Sequence, residues 1–133
     1  MKDVKYGITK KIGKMSVDDA VAKVSDALKV EGFGVLTEID VKATLKKKLD
    51  VDFRPYRILG ACNPPLAHKS LSAEPLIGLL LPCNVVVMED EDGAIVVSAV
   101  DPSEMFKVVE NEGMAATAAE VGDKLRRVMA SLE

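Results

Sequence analysis

Residues 77–100, IGLLLPCNVVVMEDEDGAIVVSAV, constrain the fold more than any other stretch: two β-rich apolar arms flank an acidic turn ending in Asp92-Gly93. Asp-Gly between such arms is a hairpin signature, because tight hairpin turns need residues that tolerate positive φ. The arms Val85-Val86-Val87-Met88 and Ile95-Val96-Val97 are apolar at both parities. A strand with one face in water alternates instead, so both faces of this hairpin are expected to be covered. An exposed valine ridge of that extent is unusual in a monomer, and a homodimer packed through the apolar sheet face is the expected solution. The alternative is that a terminal segment of the same chain folds over it.

The rest of the chain supplies elements to surround that hairpin. Val4, Tyr6 and Ile8 alternate as in a half-buried strand running to Ile12. Ser16 and Asp19 have capping-box-like spacing ahead of a helical stripe of Val17, Ala20, Val21, Val24 and Leu28, which Gly32 ends. Phe33 to Ile39 reads as a strand with Phe33, Val35 and Thr37 on one face, and Asp40 caps a short helix through Leu49. Pro55 disfavours helix at Arg54, so a strand restarts over Tyr56 to Cys62. A short helix follows the Asn-Pro-Pro break and closes before Pro75. Its buried face is Leu66, Ala67 and Leu71, with His68 at the border. Asp101-Pro102 opens another helical segment.

In the last helix Val121, Leu125, Val128, Met129 and Leu132 form the stripe, and Glu120 to Lys124 and Asp123 to Arg127 are spaced as i,i+4 ion pairs. Gly122 costs that helix about 1 kcal/mol relative to Ala. With the short helices set aside, the order is β-α-β-β-β-β-α. That order predicts a two-layer α+β fold, a largely antiparallel sheet with helices on one face. A length of 133 residues fits a single domain, 1–133.

Charge and cysteine usage narrow the function classes. Residues 1–60 carry 13 Lys and Arg against 9 Asp and Glu, and residues 61–133 carry 5 against 12, so the halves differ in sign. Opposite-signed surfaces help copies or partners to meet. A net charge of -3 with no Trp and few aromatics argues against nucleic acid as a partner. No signal-peptide pattern and no apolar run long enough to span a bilayer is present, so no membrane association and a cytoplasmic location are expected. Two cysteines in that compartment are expected to be free thiols. Lys46-Lys47-Lys48 reads as a solvated helix face, and Glu89 to Asp92 as a soluble hairpin tip without the ligand spacing of an EF-hand.

Two corners remain as candidate sites. In GACNPPLAHKS, Asn63 is placed to cap a helix that starts at Pro64, next to Cys62 and the chain's only histidine, His68. Pro64 and Pro65 together remove two of the N–H groups that make a helix start attractive to anions, so a phosphate cradle is not expected here. Cys62 and His68 sit six residues apart across a helix start and do not form a local nucleophile and base. In LPCNV, Pro82, Cys83 and Asn84 repeat the Cys-Asn pair, and proline in a strand-like run implies an edge or bulge. If the corners converge, Cys62, Asn63, Cys83 and Asn84 line one pocket. Two thiols and one histidine are an incomplete site for a soft metal, so no metal and no cofactor is expected.

The leading expectation is therefore a homodimeric, regulatory domain that binds a small ligand or partner near Cys62, Asn63, Pro64, His68, Pro82, Cys83 and Asn84. One alternative is a thiol-dependent enzyme or a sulfur- or metal-handling protein using Cys62 and Cys83, and another is a purely structural subunit. No catalytic residue is assigned.

The stretches YRILGACNPPLA and IGLLLPCNVVV, together with Gly93, resemble the signature of Domain of Unknown Function family 302, from about Val4 into the last helix. The resemblance implies a small bacterial or archaeal domain with a TATA-binding-protein-like α+β fold, often dimeric and without an established activity. Its motif falls on Cys62, Asn63, Pro64, Pro82 and Cys83. A likeness to a DNA-binding saddle is not evidence for DNA binding.

Overall fold

The computed structural model describes residues 3–133. The chain runs β1 (Gly7–Gly13), α1 (Val17–Val30), β2 (Gly34–Asp40), α2 (Val41–Leu49), β3 (Tyr56–Cys62) and α3 (Pro64–Ala73), then β4 (Cys83–Glu89), β5 (Ile95–Val100), α4 (Pro102–Met105) and α5 (Gly113–Ser131). Short 3-10 segments occupy Pro75–Leu80 and Phe106–Val108. The five strands form one antiparallel sheet in the order β1-β5-β4-β3-β2. Both hairpin arms are thus interior strands, hydrogen-bonded to a neighbour on each side. Among the described residues, no helix is long and apolar enough to cross a membrane.

The helices start where local chemistry favours it. Ser16 Oγ accepts the Asp19 N–H at 3.0 Å, Asp40 Oδ1 accepts the Ala43 N–H at 2.9 Å, and Asp101 Oδ1 accepts the Ser103 N–H at 3.0 Å. Each cap satisfies a donor that a helix start leaves without an intrahelical partner. At the hairpin tip Asp90 Oδ1 accepts from the N–H groups of Asp92 and Ala94, and Gly93 supplies a φ of +80°. Lys11 stands 3.1 Å from Asp90. Burial opposes ionisation of Asp90, but this ammonium and the two amides outweigh it, and the carboxyl is held below its ordinary range.

Helices α1 and α5 cover one sheet face. Ala20, Val24 and Leu28 of α1 meet Val121, Leu125, Val128 and Met129 of α5 over Leu59, Val85, Val87, Ile95 and Val97. Lys10 on edge strand β1 donates to the carbonyls of Ala130 and Leu132, placing a cation at the electronegative end of α5. On the second face Ile58, Val86 and Met88 are half-buried and Val96 is buried.

Five local expectations are corrected. The first strand begins at Gly7 rather than Val4, and Ile77–Leu80 lies in a 3-10 segment rather than a strand. The apolar run there is explained by tertiary packing, since Ile77 joins Phe106, Met114 and Ala118 in a second, smaller core. In β2 the register shifts between Val35, opposite Ala61, and Thr37, opposite Gly60. The extra residue, Leu36, is a β-bulge, so Val35 faces the core while Thr37 faces away from it. Helix α3 buries Leu66 and Ser70, whereas Leu71 is exposed. In α5, Arg127 bonds Glu31 at 2.9 Å, tying α5 to the end of α1, and Asp123 pairs with Arg126. A partner fixed by tertiary packing outcompetes the i,i+4 pairing of exposed side chains, which is worth only a few tenths of a kcal/mol.

The space beside Gly122 admits a methyl group once the Arg126 side chain shifts by a few tenths of an ångström. A methyl group there would stand 3.8 Å from both Pro102 and Ser103 and 3.2 Å from the movable end of Arg126. We expect Gly122→Ala to raise stability by about 1 kcal/mol through helix propensity. Urea unfolding checks this, and a lowered midpoint would show that α5 needs the closer approach.

Candidate functional site

The register of β3 against β4 brings the two Cys-Asn corners together. Ala61 pairs with Cys83, so Cys62-Asn63 leaves the sheet beside the point where Pro82-Cys83 enters it. The close approach requires a glycine at position 60, because a Cβ there would meet Thr37 Oγ1 at 2.2 Å and Pro82 Cγ at 2.7 Å.

Asn63 holds this junction. Its Oδ1 accepts the Leu66 N–H at 3.3 Å, capping α3, and its Nδ2 donates to the Glu31 carbonyl at the end of α1, also at 3.3 Å. Gly32, at φ +84°, lets the chain turn directly under it, and a Cβ there would stand 3.1 Å from Nδ2. One amide therefore joins the end of one helix to the start of another.

Between the main core and the smaller one lies a cavity of about 230 Å3. Its walls are Phe33 and Leu36 from the β2 side, Ala61, Cys62 and Asn63 from the β3 corner, and Leu66, Ala67, Ser70 and Leu71 from α3. Gly78, Leu81, Pro82 and Cys83 close another side, and Phe106 and Val121 complete it. The lining includes no Lys, Arg, His, Asp or Glu. Both cysteines are free thiols. Burial, with a smaller contribution from neighbouring Cys62, pushes the Cys83 thiol up to about 11.

The structure thus brings together Cys62, Asn63, Pro82 and Cys83 but not the other three predicted residues. Pro64 is the exposed first residue of α3. His68 is exposed and does not line the cavity. Asn84 is excluded by strand alternation, since it follows Cys83 and points to the second face. There it lines a separate hollow with Val4, Tyr6, Val86 and Ser98. Leu36 and Ser70 were not legible as site residues. The bulge that turns Leu36 leaves no mark in the sequence, and Ser70 sits on a face where an apolar residue was expected. Among the described residues, no three His, Cys, Asp or Glu side chains are grouped to hold a metal ion.

A two-layer antiparallel α+β domain with an apolar cavity at one end of its sheet defines the class of protein. Within that class the chain belongs to the family described as Domain of unknown function DUF302, whose model matches residues 8–132. It is similar to the crystal structure of an uncharacterized conserved protein DUF302 from Bacillus stearothermophilus. The two share 26% identity and a TM-score of 0.88, over 98% of this chain and 100% of that one. No curated protein matches the chain.

A thiol titrating near 11 is almost wholly protonated at neutral pH. Alkylation by iodoacetamide, followed at Cys83 by peptide mass analysis from pH 6 to 11, should therefore stay slow until the pH passes about 10. Reaction with an apparent pKa at or below about 8.5 would contradict this burial.

Proposed function

We propose that this chain is a binding domain that takes up a small, largely apolar ligand in the cavity between α3, the β3–β4 corner and the 3-10 segment Pro75–Leu80. The observation that carries this reading is the cavity itself: about 230 Å3 of space, walled mainly by carbon and free of charged groups. An apolar cavity of about 150 Å3 suffices to bind benzene, so this one has room for a substituted ring or a short chain. Two corner features favour binding over thiol chemistry. Asn63 has both ends of its amide engaged by the backbone, and Cys83 is disfavoured as a thiolate. Free, unlinked Cys62 and Cys83 in one cavity suit a reducing cytoplasm.

Ethylbenzene is a suitable probe, followed by isothermal titration and by amide chemical shifts. Native protein should bind it, with shifts centred on residues 61–71. Ala67→Trp, which fills the cavity from α3, should weaken binding more than tenfold with little change in the unfolding midpoint. Equal binding by the variant would place the ligand elsewhere, and no binding by the native protein would remove the reading.

The second sheet face supports a further part of the proposal, a homodimer. Ile58, Val86, Met88 and Val96 form an apolar row there, on the face opposite α1 and α5. Two copies packed row to row would withdraw that row from water through an isologous contact. Sedimentation equilibrium should give twice the chain mass for the native protein and the single mass for Val86→Lys. A native protein that sediments as a monomer at tens of micromolar would reject the dimer.

A further inference from the structure

We propose that the cavity selects ligands bearing a hydroxyl, an alcohol or phenol on an apolar body, and that Ser70 is the residue that reads it. The inference rests on the binding role proposed above and deepens it. Ser70 lines the cavity and is only 4% exposed. Its proton is committed, because Oγ donates to the Leu66 carbonyl at 2.9 Å, four residues back in α3. A serine hydroxyl has one proton and two acceptor lone pairs, so toward the cavity Ser70 is an acceptor.

The other polar groups do not compete for that role. Asn63 is oriented by Leu66 and Glu31, which engage its Oδ1 and one of its two Nδ2 protons, and the thiols of Cys62 and Cys83 are weak partners. A ligand hydroxyl buried here meets a matching acceptor. At Ser70 a ketone or ester oxygen meets another acceptor, and a carboxylate finds no cation among the lining residues. Burying a polar group without a partner costs more than a made hydrogen bond returns, so the mismatch discriminates strongly.

The test uses three probes on one carbon skeleton: ethylbenzene, 2-phenylethanol and acetophenone, titrated into the native protein and Ser70→Ala. Native protein should bind 2-phenylethanol about tenfold more tightly than acetophenone. Ser70→Ala should lose about fivefold to tenfold in affinity for 2-phenylethanol and keep its affinity for ethylbenzene. Alanine is the better helix former, and the unfolding midpoint of the variant verifies that α3 stays intact. Tight ethylbenzene binding with an alcohol affinity indifferent to Ser70→Ala would overturn the assignment to Ser70 and leave the cavity reading standing. Equal affinity of native protein for the alcohol and the ketone would overturn the selectivity without recourse to any variant. Failure of all three probes to bind would remove the cavity reading, and this inference with it.

Discussion

The pairing of β3 with β4, from Tyr56 opposite Met88 to Ala61 opposite Cys83, is the constraint on which the rest of the molecule depends. A slip of one residue would turn Leu59, Val85 and Val87 out of the core. It would also separate the two corners, since Cys62-Asn63 and Pro82-Cys83 meet only because the strands end in step. Gly60 makes the pairing feasible where Thr37 and Pro82 crowd the second face. Asn63 then carries the register into the helical layer by bonding the end of α1 and the start of α3.

The polar residues at the corner serve the scaffold first. Asn63 is spent on two helix termini, Pro64 and Pro65 open α3, and Ser70 gives its proton to its own helix. The cavity lining is mostly carbon, with Asn63, Ser70 and the two thiols as its polar members. Such a site lacks an acid and base pair, a cation and a metal-ligand set among the described residues. In the proposed binding role, its contribution would be shape, apolar contact and a single directed hydrogen bond.

Much of the fold was legible because its signals are local or periodic. Ser16, Asp40, Asn63 and Asp101 announce helix starts by their side-chain chemistry, and the α5 stripe and the Asp92-Gly93 turn follow from spacing. The corner was legible for the same reason: Asn-Pro-Pro has few other structural uses. What escaped depended on distant partners. Ile77 looks strand-like until Phe106 and Met114 are placed beside it. Arg127 looks paired with Asp123 until Glu31 arrives from α1. The face of Asn84 follows from strand parity once β4 is known to start at Cys83. The exposure of His68 could not be read from its position at the border of a helical stripe.

Both outer strands of the sheet carry an irregularity, at Ile12 in β1 and at Leu36 in β2. A bulge breaks the ladder of free N–H and C=O groups that an edge offers to a passing chain, and Lys10 and Lys11 in β1 add charge along that edge. Growth of the sheet by strand addition, the route to fibrils, is therefore discouraged at both ends. In a chain whose central strands are so rich in valine, the proposed contact through the broad face would then be one that closes rather than polymerises.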